Sequence, residues 1–189
     1  MLRRFPWYLA ILLWGLLFVW ISGPLGRTGQ LLSLSSSVIP LLAGGYAQRG
    51  ATLRGSLAIS LAVAGLFAYA VFRGHGGPLP TRDDAWVSAR IGMQGFLAYV
   101  AFFALWQSFL PRVGVGLALL LDSMLGFVPK AGMLFPRLHV MSLIGPKSVH
   151  FAQASSSAAA LWAMVLFFGA LTFWRRNSQV RLTPVSRAN

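Results

Sequence analysis

Long apolar runs recur along the whole chain, and the charged residues stand in the gaps between them. A soluble helix is apolar on one stripe, whereas a helix apolar all round needs lipid or protein on every side. The carboxylates tighten this constraint. Among 189 residues only Asp83, Asp84 and Asp122 are acidic, and there is no Glu. Charged residues make up 10% of the chain, against roughly 25% in an average soluble domain. That is too little charge to cover a water-facing surface, and lipid tails remove the need. The chain therefore reads as an all-α, polytopic membrane helical bundle, a single transmembrane domain over 1–189 with no sizeable soluble module.

Six runs can each cross a hydrocarbon core of about 30 Å, which takes roughly 17–25 helical residues, once their ragged ends are included. They are residues 5–22, 30–47, 57–72, 91–110, 113–128 and 157–174. The first follows Met1-Leu2-Arg3-Arg4, as the apolar stretch of a signal peptide does. It is long for one, and no small-x-small cleavage site closes it, so it reads as a retained span. The second holds Ser33, Ser35, Ser36, Ser37 and Pro40, which suit a helix facing protein more than lipid. The fifth carries Asp122. Residues 73–90 are rich in Gly and Pro and read as an irregular loop. Residues 129–156 read as an outer re-entrant or interfacial segment, because Pro136, Gly145 and Pro146 oppose another full crossing.

The net charge is +13. Nucleic-acid binding would gather such charge into one patch. Here the basic residues sit at the edges of apolar runs, as membrane loop charges do, so nucleic acid is not an expected partner and lipid headgroups are. With six spans both termini share a side. That side holds Arg3, Arg4, Arg49, Arg54, Arg112, Arg175, Arg176, Arg181 and Arg187. The other holds Arg27, Arg73, Arg82, Arg90, Lys130, Arg137 and Lys147. The excess of basic loop residues votes for cytoplasmic termini.

Several short stretches resemble those of ABC-2 type transporter permeases, the membrane subunits of ABC exporters. Ser108-Phe109-Leu110-Pro111-Arg112-Val113-Gly114 is similar to the family's tight turn between spans four and five. Leu143-Ile144-Gly145-Pro146 resembles the element before its last span, and Phe173-Trp174-Arg175-Arg176 its basic close. Pro40-Leu41-Leu42-Ala43-Gly44-Gly45, followed by Gln48-Arg49-Gly50-Ala51-Thr52-Leu53, is similar to its second span and the loop after it. The family often places acidic residues in that loop, and this chain has none.

The resemblance implies a multi-subunit transport complex in a bacterial inner (cytoplasmic) membrane. A separate nucleotide-binding ATPase subunit would dock on an ATPase-coupling loop formed by Gln48, Arg49, Thr52, Leu53 and Arg54. A second permease copy or a similar subunit would complete the path. No cofactor is implied beyond ATP on the partner, and no Gly-x-x-x-x-Gly-Lys-Ser/Thr phosphate loop occurs in this chain. The alternative reading is a non-catalytic membrane anchor or assembly subunit of a larger complex. The Glu-free coupling loop and the short turn after the first span favour it.

Asp122 is the intramembrane polar candidate. A carboxylate inside a span must face a bundle interior, a water-filled cavity or a partner. It would contact substrate, an ion or a proton, pair with another subunit, cap a helix break near Ser123 and Gly126, or simply be protonated. His75, His139 and His150 fall on the outer side, with a spacing that matches no metal-ligand pattern. Cysteine is absent, so thiol chemistry is excluded. Only one carboxylate lies in a span, so a paired-carboxylate site is excluded too. No catalytic constellation emerges, and the chain is not read as an enzyme.

Overall fold

The computed structural model describes residues 7–22, 26–75, 79–126, 128–145 and 154–182, and no strand is among them. In chain order come α1 (Trp7–Ile21), α2 (Gly26–Ser33), a π-helical turn (Leu34–Val38), α3 (Ile39–Gln48) and α4 (Leu53–Arg73). Then follow α5 (Arg82–Phe109), α6 (Gly114–Leu125), α7 (Pro129–Gly132), α8 (Pro136–Ile144) and α9 (Ala154–Leu182). Among the described residues, three helices are long and apolar enough to cross a membrane: α4, α5 and Ser156–Ser178 of α9. Leu9–Ile21 of α1, and α6, are apolar but shorter. By length and composition this helix content points to a membrane protein.

α5 is the central helix. Its apolar window is 61% buried, against 44% for α4 and 22% for α9. Phe96, Tyr99 and Phe103 of α5 are fully enclosed, and α3, α4, α6, α8 and α9 all pack on it. In lipid such burial gains little from water exclusion, so close fit and polar links must select the packing. Gly92 supplies one close fit. A Cβ there would stand 2.7 Å from Cγ of Phe67, itself fully buried on α4.

α5 begins well before residue 91, where its apolar run starts, and takes up part of the expected 73–90 loop. The reason is local. Thr81 Oγ1 accepts from the Asp84 amide at 3.2 Å, and Asp84 Oδ2 accepts from the Thr81 amide at 3.1 Å. This capping box satisfies two backbone donors at the helix start. Asp83 and Asp84 also place negative charge in the first turn, where the helix dipole favours it. Arg27 then ties the start of α2 to Asp84 at 3.0 Å.

α2, the π turn and α3 form one unbroken helical run from Gly26 to Gln48. The serine run lies at the widened turn. Ser35 Oγ donates to the Leu32 carbonyl at 2.8 Å, and Ser36 and Ser37 donate to the Ser33 carbonyl at 3.2 and 2.5 Å. Such back-bonding competes with the regular helical ladder and bends it.

Two ends of the bundle can be told apart. At one, Gln107 Nε2 donates to the Gln48 carbonyl at 3.2 Å, and Arg175 stacks on Phe109 with its guanidinium carbon 3.8 Å from the ring centre. The 49–52 turn, the α5–α6 turn and the last part of α9 therefore share this basal end. The opposite, distal end carries Arg27, Asp84 and Gly74.

Candidate functional site

α6 has 12 residues, a length of about 18 Å at 1.5 Å per residue, and it ends part-way along the bundle. The expected fifth run, 113–128, is thus cut short at Leu125. Gly126 ends it, its amide bonded back to the Asp122 carbonyl at 3.0 Å. The chain then folds back: Phe135 meets Phe102 with ring centres 5.8 Å apart. From there α8 runs against α5 and α9. Pro136 at its first position has no amide to leave unsatisfied, which suits a helix start inside the bundle.

This fold-back brings together residues that are far apart in sequence. Asp122 is fully buried, and Oδ2 lies 3.1 Å from Nε of Arg137. Oδ1 accepts from the Arg137 amide at 3.2 Å, and Oδ2 also accepts from the Tyr99 hydroxyl at 2.9 Å. Arg137 Nη2 reaches the Ser36 carbonyl and Ser123 Oγ, both at 3.4 Å. Tyr99 is on α5, Asp122 on α6, Arg137 on α8 and Ser36 on the π turn, so four segments meet at one charged cluster. The carboxylate also does what a cap residue would do for α8, whose N-cap, Phe135, offers no side-chain bond.

Asp122 therefore faces a partner inside its own chain. It does cap a helix, but the start of α8 and not the break near Ser123 and Gly126. Arg137, counted with the outer loop charges in the sequence, lies within the bundle. Tyr99 and Arg137 carried no signal on their own. The one signal was chemical: a lone buried acid needs a base, and Arg137 follows a proline helix start in the neighbouring segment.

His139 is buried on α8, with Nε2 2.9 Å from the Met133 carbonyl and Nδ1 3.4 Å from Ser157 Oγ. α9 begins at Ala154, ahead of Ser155, Ser156 and Ser157, so Ser157 lies within its first turns and bonds His139 of α8. His150 lies outside the described residues. Among the described residues no three His, Cys, Asp or Glu side chains gather in a way that could hold a metal.

The loop residues lie at the basal end. Gln48 and Arg49 close α3 and are exposed. Gly50 has φ +83°, a left-handed backbone that glycine adopts without strain. Thr52 caps α4, accepting from the Gly55 amide at 3.2 Å, and its own amide donates to the Tyr46 hydroxyl at 3.1 Å. Leu53 is 77% exposed, and Arg54 beside it is exposed as well.

α5 and α9 run in the same direction and in register: Phe102 pairs with Phe168, and Phe109 with Arg175 one heptad on. Each flank of this helix pair carries a groove. One, of about 450 Å³, lies beside the 48–54 loop and includes Thr52, Leu53, Ala101, Gly169, Thr172 and Arg176. The other, of about 440 Å³, is aromatic and is closed by the fold-back residues Leu134 and Phe135. Comparison with protein-family models, with curated proteins and with solved structures returns no match.

Proposed function

We propose that the chain is the membrane-spanning permease subunit of an ABC-2 type transporter, working with a separate ATPase subunit and a second permease copy or similar subunit. The observation that carries this reading is the build of the 48–54 loop. A docking loop must transmit movement, so it has to be stiff and must present something to grip. Gly50 makes the turn, Thr52 and Tyr46 lock it, and Gln107 braces it on α5. Leu53 and Arg54 project from it.

The layout supports the same reading. In this reading the six crossings would be α1, α2 with α3, α4, α5, α6 completed by the re-entrant 129–144 segment, and α9. With Arg137 withdrawn into the bundle, basic loop residues divide nine to six in favour of the basal end being cytoplasmic. In a bacterium that membrane is the inner (cytoplasmic) one. Nucleotide states of the partner would bind the two packings of the dimer unequally and so shift their populations. The second reading, a membrane anchor or assembly subunit, draws on the Glu-free loop and the short 22–26 connection.

Purification of the detergent-solubilised chain separates the two. A permease brings down a nucleotide-binding subunit, and Arg49→Glu with Arg54→Glu weakens that capture. If no nucleotide-binding subunit copurifies, and the two changes leave assembly and transport intact, the permease reading fails.

A further inference from the structure

We propose that the aromatic groove between α5, α9 and the fold-back holds one acyl chain of an anionic phospholipid, with the headgroup at Arg175. The proposal does not depend on the permease reading, because it rests on the groove and the basic charge beside it.

The walls are Phe102, Trp106, Phe109, Leu134, Phe135 and Phe168, and almost nothing polar lines them. A volume of about 440 Å³ lies within the roughly 300–1,000 Å³ of ordinary ligand sites. A cavity this apolar gives water no partners, and it lies between helices of membrane-crossing length. A hydrocarbon chain is the occupant whose chemistry matches the walls. The groove also has a direction. Phe102 to Phe109 and Phe168 to Arg175 each advance seven residues, which is about 10 Å toward the basal end.

The basal mouth is where charge appears. The Arg175 guanidinium lies over the Phe109 ring at 3.8 Å, a cation–π contact. Its Nε is enclosed and has no hydrogen-bond partner, so one strong donor beside the groove residue Phe109 is unmet. Arg49, Arg54, Arg112 and Arg176 belong to the same end. None of the three acidic side chains of the sequence belongs to that end: Asp83 and Asp84 are at the distal end, and Asp122 is buried with Arg137. A phosphate accepts from guanidinium donors and suits this charge. A zwitterionic headgroup would bring a cation to the same place.

The test uses the full chain in detergent, stripped of lipid and then offered phosphatidylglycerol and phosphatidylcholine of matched chain length, with bound lipids counted by native mass spectrometry. One phosphatidylglycerol should stay bound, favoured about tenfold over phosphatidylcholine. Leu134→Trp fills the groove from a residue that is 69% exposed, so folding is not at stake, and it should lower retention of both lipids about tenfold. Arg175→Gln should remove the headgroup preference and leave chain binding. Leu166→Trp, on an exposed part of α9 outside the groove, should change nothing. Equal retention of the two lipids by the unaltered chain overturns the proposal. So does retention that survives Leu134→Trp, or displacement of the lipid by glycerol phosphate alone, which would mark a bare anion site.

Discussion

Arg137 of α8 and Asp122 of α6 stand 3.1 Å apart inside the bundle, and the carboxylate has no exposed surface. The carboxylate is out of reach of solvent and the guanidinium nearly so, so each charge leans mainly on the other, with Tyr99, Ser36 and Ser123 adding hydrogen bonds. Their link also holds α6 and α8 together across the 126–135 fold-back. Without it, a helix start would be left inside the bundle with its amides uncapped.

Removing one partner should therefore be much worse than removing both. Asp122→Ala leaves Arg137 charged and buried, at a cost of about 3–5 kcal/mol, while Asp122→Leu with Arg137→Met removes both charges and should recover much of that loss. Thermal unfolding of the purified chain in detergent measures the cycle. Additive losses would show that the two residues do not act as a pair.

Tyr99→Phe tests the third member of the cluster. The phenol donates to Asp122 at 2.9 Å from a fully buried position, and a hydrogen bond to a charged group contributes about 1.5–3 kcal/mol. The ring remains and keeps its stacking on Phe103, so packing is unchanged. The loss should lie in that range in Asp122 protein and shrink when Asp122 is already Ala. An equal loss in both backgrounds would place the effect outside the cluster.

The sequence showed helices and a membrane-suited composition because hydropathy and charge placement are local properties. Three helices have the length and apolarity to cross a membrane. Local chemistry also explains where α5 starts: Thr81 and Asp84 are the ends of a capping box, a signal outweighed in the 73–90 reading by the glycines and prolines before it. The end of α6 was partly legible. The apolar run continues through residues 127 and 128 and outweighed the local stop signals, Gly126 at the helix end and Pro129 shortly after it. Asp122 was conspicuous as a lone acid in a span. Its partner was not, because Arg137 looks like any loop charge until the 129–144 segment folds back against α5 and α9.

Gly92→Ala sets two effects against each other. Alanine would add roughly 0.5–1 kcal/mol of helix stability. Its Cβ would meet the Phe67 ring at 2.7 and 2.8 Å, and overpacking of that kind costs about 1–3 kcal/mol. Phe67 is fully enclosed and has nowhere to move, so the clash should win. A lower unfolding temperature is expected, and trimming Phe67 to Leu in the same chain should recover part of it. A rise in stability on Gly92→Ala alone would show that α4 and α5 are less tightly apposed.

The coupling loop offers a prediction that separates stiffness from contact. Thr52→Ala removes the cap of α4, a loss of about 0.5–2 kcal/mol, while Thr52→Ser keeps the oxygen that accepts from Gly55. Arg54→Glu alters an exposed charge in the first turn of α4, where a carboxylate suits the helix dipole, and should not lower the unfolding temperature. If the loop docks an ATPase, capture of that subunit should survive Thr52→Ser, fall severalfold with Thr52→Ala because the loop loosens, and fall at least as far with Arg54→Glu with no loss of stability. Copurification read beside thermal stability for the three variants decides it. Capture that tracks stability alone, with Arg54→Glu silent, would leave the loop as a rigid corner of the fold with no docking role.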